Sequence, residues 1–272
     1  MKVTLRFDKS IQENASIYFE KSKKAKKKLV GLEKAIGQMS EKISSAEQKI
    51  TTGKKIKIEK KREKKWFEKF HWFESSDDFL VLAGRDAKSN EMLIKKYFEK
   101  DDKFFHADIV GAAHVVAKSN GKQIPETTLK EAAQFAAVFC KAWQEKMSAV
   151  DVYSADQEQV TKQAPSGEAI KTGAFMVYGK REWYKKTPVE ITIGADEHGR
   201  IISGPYNAVK EKVKFSFDII PGDEGKNNLG KKMKIYFEKK TGTEISLDEI
   251  NQMLPAGDMK IKLRNDIGSL AN

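Results

Sequence analysis

The longest regular pattern in the chain is a heptad repeat near the amino terminus. Ser10, followed three residues later by Glu13, is the capping-box signature of a helix start. From there, eleven of twelve positions spaced alternately by four and three residues are apolar. These positions are Ile11, Ala15, Tyr18, Ser22, Ala25, Leu29, Leu32, Ile36, Met39, Ile43, Ala46 and Ile50. The repeat predicts a coiled-coil helix in which about 40 residues span about 60 Å, ended by Gly53.

A second pattern, over residues 79–116, predicts a strand, a turn, a helix and another strand. An apolar run over 79–83 precedes a turn at 84–86, a helical stretch follows, and a strand is predicted over 103–107. Polar side chains stand at the ends of these elements, where functional sites are usually assembled. They are Arg85, Asp86, Asn90, Glu91, His106 and Asp108.

The remaining pattern predicts a mixed body. Strands are expected over 2–7, 150–153, 158–161, 174–178, 189–194, 200–203, 213–219 and 259–263. Helices are expected over 129–147, 228–240 and 246–254, and turns or loops over 75–78 and 118–122. The predicted fold class is α+β, with a long basic coiled-coil helical arm followed by a mixed α/β body.

Aromatic residues cluster at the entrance to this body: Trp66, Phe67, Phe70, Trp72 and Phe73. Stacking on the bases of single-stranded RNA is one interpretation. An anchor buried in the core is the other, and the helical spacing of positions 66, 70 and 73 favours it.

Charge is distributed unevenly along the 272 residues, whose formal net charge is +12. Residues 1–71 contain 21 Lys and Arg against 9 Asp and Glu, whereas residues 72–272 contain 30 of each. The whole excess lies in the first quarter of the chain. This asymmetry indicates an electrostatic arm attached to a neutral globular body.

Composition restricts the class of protein further. The mean hydropathy is -0.60, and no apolar run approaches the roughly 20 residues of a membrane span. The amino terminus has no long apolar segment of the secretory type. A cytoplasmic protein is therefore expected. The single cysteine, Cys140, cannot form an internal disulfide and is expected to be an inert buried thiol.

Two runs, WFEKFHWFESSDDFLVLAGRDAKSNE over 66–91 and FHADIVGAAHVV over 105–116, resemble the NFACT-R domain of RqcH/NEMF-type ribosome quality-control factors. Residues 159–168 and 171–180 fit the same family, and residues 10–29 resemble the coiled-coil arm that precedes the domain. The resemblance covers residues 10–185 and, loosely, the remainder. One departure is Asp78, where the family usually has glycine, a change expected to affect a turn and leave the domain in place.

This resemblance implies three parts: a basic coiled-coil arm over 1–65, an NFACT-R-like domain over 66–186, and an α+β extension over 187–272. It also implies the C-terminal half of a longer protein, because the family's N-terminal tRNA-binding domain would precede this region. The implied function is a non-catalytic RNA-binding module. It would engage the large ribosomal subunit, and tRNA, during rescue of stalled nascent chains, with no cofactor and no metal.

Lys and Arg would supply most contacts to such a partner, because they neutralise RNA phosphates regardless of sequence. Candidates on the body are Arg85, Lys95, Lys96, His106, Asp108, Lys118, Lys162, Lys171, Lys180 and Arg181, and on the arm Lys23, Lys24, Lys26, Lys27 and Lys28. For any single lysine, a solvated surface charge is the simpler interpretation. The collective charge of the arm is harder to explain that way.

Two other functions stay open at this point. The heptad seam would bind a coiled-coil partner, or a second copy of the chain, through Ile11, Leu29, Leu32, Ile36 and Ile43. The return stretch 54–70 offers too few apolar residues to cover that seam. Alternatively, His106 and Asp108, with Asp86 and His114 nearby, are plausible ligand types for a metal-dependent nuclease. Their spacing matches no metal signature, and the chain has no P-loop or G-x-S-x-G motif.

Overall fold

The structure is a computed structural model that describes residues 4–8, 10–51, 65–164 and 170–262, with the side chains of 11–33, 36 and 37 in the first helix. Its contacts divide the chain into two compact units, residues 1–63 and residues 64–272. Among the described residues, the first unit is one helix with a short preceding segment, and the second holds every strand. The second unit is called the body.

Helix α1 spans Ile11–Thr51 and begins with the predicted capping box. The Ser10 amide donates to Glu13 Oε2 over 2.8 Å, and the Glu13 amide donates to Ser10 Oγ over 3.2 Å. The strand predicted over 2–7 is wrong for residues 4–7, which form an irregular segment and a turn. Side chains of α1 replace a strand partner there, since Asn14 Oδ1 accepts from the Arg6 amide over 2.9 Å. Residues 1–3 lie outside the described residues.

Most of the apolar seam of α1 is exposed where its side chains are described, and Tyr18 is half-buried. Ile11, Leu29, Leu32 and Ile36 are 59 to 83% exposed. The seam side chains from Met39 onward, Ile43 among them, and the predicted break at Gly53 lie outside the described part of the chain. The helix is therefore as long as expected, and the coiled coil stays a prediction.

The body is built on a six-stranded antiparallel sheet. Its strands are β1 (His71–Glu74), β2 (Leu80–Ala83), β3 (Lys103–Ala107), β4 (Val115–Ala117), β5 (Ala149–Asp156) and β8 (Glu182–Pro188). They lie side by side in the order β1-β2-β4-β3-β5-β8. Strands β2 and β3 confirm the predicted central unit. Strands β1, β4 and β8 were not expected. The helical spacing of aromatic residues obscured β1, and β8 is a mostly exposed edge strand without apolar alternation.

Alternation along the strands gives this sheet two apolar faces. Leu82, Phe104 and Val116 face one core, which helix α2 (Ala87–Tyr97) covers with Leu93 and Ile94. The neighbouring residues Val81, Phe105 and Val115 belong to the other core, which helix α3 (Glu126–Val138) covers. Both faces are buried, so the central strands consist of nearly continuous apolar residues.

The helix predicted over 129–147 is broken into α3 and a short helix α4 (Lys141–Gln144). The chain leaves α3 at Phe139 (φ −92°, ψ 50°), and Cys140 is extended (φ −137°, ψ 177°). The carbonyl of Phe139 accepts a hydrogen bond from the Ala113 amide over 2.9 Å. This bond ties the end of α3 to the β3–β4 loop in place of the helical bond.

A second antiparallel sheet has the order β10-β9-β11-β12. It comprises β9 (Ile191–Ala195), β10 (Ile201–Gly204), β11 (Phe215–Glu224) and β12 (Met259–Lys262), with helices α5 (Tyr206–Lys210), α6 (Lys226–Thr241) and α7 (Leu247–Met253). These elements confirm the strands and helices predicted for the tail. One core contains Phe73 and Val81 together with Ile193 and Ile219, so the expected boundary at residue 186 does not coincide with a gap in packing.

Shorter elements complete the body. A 3-10 helix (Trp66–Lys69) precedes β1, another (Gln157–Gln159) follows β5, and the pair β6 (Val160–Thr161) and β7 (Met176–Val177) forms a separate hairpin-like ladder. Phe67, Phe70 and Phe73 are buried, which confirms the core anchor for these three residues, whereas Trp72 is half-buried and Trp66 is 48% exposed. Helical spacing is not the cause of this burial. Phe70 and Phe73 lie on an extended chain and reach opposite cores.

The turn at 75–78 is confirmed and is fixed by side chains. Ser75 Oγ accepts from the Phe79 amide over 3.0 Å and pairs with Thr128 Oγ1 of α3 over 2.8 Å. Asp78 has φ 61°, in the left-handed region that glycine favours. Aspartate tolerates this region better than most residues. The structure thus explains both the glycine usual at this place and its replacement by aspartate.

Candidate nucleic-acid interface

A cavity of about 610 Å³ opens where the ends of the central strands meet the loops around them. Four of the six polar residues predicted at element ends line it: Arg85, Asp86, Asn90 and His106. The β3–β4 loop, the α3–α4 break and residues 171–175 complete its walls. These four residues therefore lie around one cavity, and its role as a functional site stays a prediction.

The β2–α2 turn forms one wall. Asp86 caps α2 by accepting from the Ser89 amide over 2.7 Å, and hydrogen bonds from Ser89 lower the pKa of Asp86. Arg85 Nη2 donates to the carbonyls of Glu68 and Phe70 over 3.2 and 2.9 Å. Burial lowers the pKa of Arg85. The turn thus holds the guanidinium of an exposed arginine in a fixed position.

Three of the four histidines of the chain line the cavity. Burial lowers the pKa of His71 to about 3, and the charges of Arg85 and Lys226 act in the same direction. Burial lowers the pKa of His106 to about 4 and that of His114 to about 3. All three imidazoles are therefore neutral at pH 7, so each offers one donor and one acceptor nitrogen.

His114 is the most enclosed of the three, at 6% exposure. Its ring lies 5.3 to 5.5 Å from the rings of Phe104, His106 and Phe175. Within the described residues, His114 Nδ1 is buried and has no hydrogen-bond partner. His71, also in the lining, stacks on Phe139 with ring centroids 4.0 Å apart and an interplanar angle of 19°.

The loops that carry these rings are pinned by α2. Asn90 Oδ1 accepts from the His114 amide over 3.1 Å, and Glu91 Oε2 accepts from the Gly173 amide over 2.8 Å. Gly173 has φ +79°, and a Cβ there would lie 2.5 Å from the carbonyl oxygen of Ala87. Only glycine allows this approach, so a side chain at residue 173 would push its loop away from α2.

Lys162 is partly buried and contacts the loop that carries Lys171 and Phe175. Its Nζ lies 2.7 Å from Glu91 Oε2, donates to the Lys171 carbonyl over 2.9 Å and lies 4.8 Å from the centre of the Phe175 ring. Burial alone raises the pKa of Glu91, but the bonds from Lys162, Lys95 and the Gly173 amide bring it down to about 2. Lys162 thus holds the loop in place.

The prediction that Lys118 contacts phosphate disagrees with the structure. Lys118 is buried, and its Nζ lies 2.5 Å from Asp102 Oδ2 and 2.7 Å from Glu99 Oε2. Asp102 is also buried and accepts from the Ser119 amide over 2.8 Å. The ammonium group neutralises an interior carboxylate, so it is not available to RNA, and we remove Lys118 from the set of contacts.

The other predicted body residues lie nearer the surface. Lys95, Lys96, Asp108, Lys171 and Lys180 are exposed, and Lys95 Nζ pairs with Glu91 Oε1 over 2.7 Å. Arg181 lies over the Tyr153 ring at 4.5 Å. Of these, only Lys171 lines the cavity. On α1, Lys23, Lys24, Lys26, Lys27 and Lys28 are all exposed.

Sequence reasoning missed Lys141 and His71, which also line the cavity. Lys141 was assigned to the middle of a continuous helix, and the break at Cys140 instead places it beside Gly111. Burial raises the pKa of the Cys140 thiol, and its Sγ donates to the Ala137 carbonyl over 3.0 Å. The run of apolar residues ending at Phe139 gave no sign of this break.

The described residues contain no group of three or more His, Cys, Asp or Glu side chains that could bind a metal ion. None of the helices there is both long enough and apolar enough to cross a membrane.

The two-faced sheet and its cavity define a mixed α+β domain, and a known family model matches this part of the chain. Residues 69–179 match the NFACT protein RNA binding domain, NFACT-R. The chain therefore contains an NFACT-R domain, which confirms the resemblance predicted from its sequence.

Curated relatives agree. The archaeal Rqc2 homolog aRqcH of Methanocaldococcus jannaschii is 39% identical over 204 residues, which cover 74% of this chain and 30% of that protein. The ribosome quality control complex subunit NEMF of Homo sapiens is 38% identical over 177 residues, 62% of this chain and 16% of that protein. The Rqc2 homolog RqcH of Bacillus subtilis is 28% identical over 162 residues, 52% and 28% respectively.

The chain is thus related to ribosome quality control factors and spans less than a third of the length of each of these three. Among solved structures, the C-terminal part of the fibronectin/fibrinogen-binding protein from Streptococcus suis aligns with 66% of this chain and 77% of that chain. The sequence identity is 23% and the TM-score is 0.38, which is too low to support an argument about fold.

Proposed function

We propose that this chain is the RNA-binding part of a ribosome-associated quality-control factor, which engages the large ribosomal subunit, and tRNA, during rescue of stalled nascent chains. The observation that carries the proposal is the cavity at the strand ends of the NFACT-R domain. It combines neutral imidazoles with Arg85, Lys141 and Lys171, whereas Asp86 is the sole acidic residue among its described lining. We infer that the module binds and does not catalyse.

Electrostatic attraction would come mainly from α1. Its lysines between positions 21 and 28 are exposed, and contacts of this kind neutralise phosphate without reading sequence. On the body, the proposed contacts are Arg85, Lys95, Lys96, His106, Asp108, Lys162, Lys171, Lys180 and Arg181. Arg85 and Lys162 already have protein partners, so we expect them to contribute less than the exposed lysines.

Co-sedimentation with purified ribosomal subunits tests this function. We expect the chain to pellet with large subunits and to be released as salt rises, because displaced counterions oppose binding. Small subunits are one control for specificity. Heparin, a naked polyanion added at matched charge, is the other and tests whether charge alone accounts for binding. A chain that stays in the supernatant with large subunits at low salt would exclude the proposal.

A second candidate function is a protein–protein bridge through α1. The observation that favours it is the exposure of Ile11, Leu29, Leu32 and Ile36 on one heptad register. Helices in water draw most of their stability from burying an apolar face. We propose a second copy of α1 as the occupant, because an identical heptad register supplies matching apolar residues.

A further inference from the structure

We propose that the cavity beside His114 binds one unstacked nucleotide of single-stranded RNA, with the base among the imidazole and phenyl rings and the phosphate at Lys141 and Lys171. This inference rests on the RNA-binding function proposed above and names the ligand of that site.

One indication of a ligand is the unpartnered nitrogen of His114. Buried polar side-chain atoms nearly always have a hydrogen-bond partner, and an exception requires an explanation. His114 lines the 610 Å³ cavity, and its buried Nδ1 has no partner among the described residues. The volume lies within the range of about 300–1,000 Å³ usual for small-molecule sites. A polar ligand edge that meets this nitrogen on a rotation of the ring would satisfy it.

Aromatic rings make up much of the cavity lining. His71 and Phe139 stack nearly parallel, and His114 lies close to His106 and Phe175. Planar heteroaromatic ligands pack well against such rings, and every nucleobase offers both a flat face and polar edges. Since the imidazoles are neutral at pH 7, they suit an uncharged base better than a bare anion.

Positive charge at the rim fits a phosphate. Lys141, Lys171 and Arg85 are all exposed and line the cavity. Asp86, the acidic residue of the lining, is occupied in capping α2. The resulting excess of positive charge beside a neutral aromatic interior matches a nucleotide, which joins a phosphate to a neutral base.

The loops that line the cavity are held in place before a ligand binds. Asn90 holds the loop that carries His114, and Glu91 with Lys162 holds the loop that carries Lys171 and Phe175. Binding to preformed walls avoids the entropic cost of ordering loops. Metal binding is a less suitable alternative, because no group of three potential ligands occurs in the described residues.

The test uses the full chain and three probes: the four ribonucleoside monophosphates, ribose 5-phosphate, and a single-stranded RNA hexamer with and without one abasic position. Imidazole nitrogen resonances report binding at His114, and exposed His198 is the internal control. We expect at least one monophosphate to shift the His114 Nδ1 resonance, ribose 5-phosphate to leave it unchanged, and the abasic hexamer to bind about 5- to 150-fold more weakly.

Two variants locate the effect. His114→Phe keeps a ring but removes the nitrogen, and nucleotide affinity should fall by about 2- to 10-fold. Lys141→Glu should weaken binding by about 10-fold, whereas Lys130→Glu, the same charge reversal at an exposed site on α3, should have little effect. If His114→Phe fails to fold, the Lys141 and Lys130 pair decides the matter.

The outcomes separate this inference from the proposed function. An equal shift with ribose 5-phosphate, or a hexamer that binds without any change at His114 or any sensitivity to Lys141→Glu, overturns the nucleotide site. If such a chain still pellets with large subunits, the proposed function stands alone. A nucleotide that binds at His114 in a chain that does not pellet supports the site and removes the ribosomal function.

Discussion

The helical arm α1 and the two-sheet body both carry many lysines, but the two regions hold them in different surroundings. On α1, the lysines from 23 to 28 are exposed, and no ion pair involves them among the described residues. In the body, Lys118 neutralises buried Asp102, Lys162 holds Glu91, and Lys103 pairs with Asp156 over 3.0 Å. The arm therefore offers charge to a partner, whereas much of the body's charge stabilises its own fold.

The apolar residues show the converse contrast. Ile11, Leu29, Leu32 and Ile36 of the arm's heptad seam are exposed, while apolar side chains of the body fill two cores on either side of one sheet. Among the described residues, α1 thus presents exposed lysines together with exposed apolar side chains. A residue type that is counted from the sequence can therefore be assigned a role only when its neighbours in the structure are known.

The largest expected effect concerns the apolar stripe of the arm. Leu32→Lys with Ile36→Lys should raise the dissociation constant of an α1 dimer more than about a thousandfold, since each buried aliphatic side chain contributes about 1.5–3 kcal/mol. Sedimentation equilibrium at two salt concentrations measures it. The wild-type dimer should tighten as salt screens the repulsion between lysines.

The matched control is Gln12→Lys with Ser16→Lys, which adds the same charge at exposed positions off the heptad register. A wild-type chain that stays monomeric at tens of micromolar in high salt, with α1 still helical, would contradict the dimer.

The next effect concerns the arm's charge. Replacing Lys23, Lys24, Lys26, Lys27 and Lys28 by Gln should reduce the salt dependence of RNA binding. For about six neutralised phosphates, the logarithm of the binding constant should fall with a slope of about −4 to −5 against the logarithm of salt, and the variant should lose about 3 of that slope. Fluorescence anisotropy at several salt concentrations measures the slope. An unchanged slope would show that the body, and not the arm, makes the phosphate contacts.

In the body, Lys118→Met should lower the free energy of unfolding by about 3–5 kcal/mol, because Asp102 would be left buried without its partner. Adding Asp102→Asn should restore part of the loss. Urea unfolding measures both variants. RNA affinity of the folded variant should stay at the wild-type value, whereas a large loss of affinity would return Lys118 to the set of contacts. Lys122→Met, at an exposed loop position, is the control.

The last effect, on pH dependence, requires no substitution. The pKa values of His71, His106 and His114 lie at about 3 to 4, below the ordinary value of 6.5. Below pH 6.5 the unfolded chain therefore binds protons that the folded body does not. The free energy of unfolding should fall as the pH is lowered from 6.5 toward about 4, by up to about 1.4 kcal/mol per pH unit for each histidine.

Urea unfolding at several pH values measures this slope. His114→Phe should remove its share of the slope, and His198→Phe, at an exposed position, should not. A pH-independent free energy over this range would show that the three imidazoles are accessible to protons in the folded state.

Local pattern predicted most of the elements because periodicity is a property of the chain itself. Residues close together in sequence are enough to predict the capping box at Ser10, strands β2 and β3, the turn at Ser75 and the tail elements other than α5. The misses occur where distant residues decide. Strand β1 forms because it pairs with β2, and α3 ends at Phe139 because the Ala113 amide takes up its carbonyl.

The sequence by itself therefore determined the long helix, the concentration of charge on it, the alternation of the strands and the family resemblance of the body. Only the tertiary structure decided which polar residues share one cavity, that Lys118 is buried against Asp102, and that His71 and Lys141 join His114. The physical reason is that helix and strand periods are set by the backbone over a few residues. A site is set by contacts between segments far apart in sequence, such as Asn90 with His114 and Glu91 with Gly173.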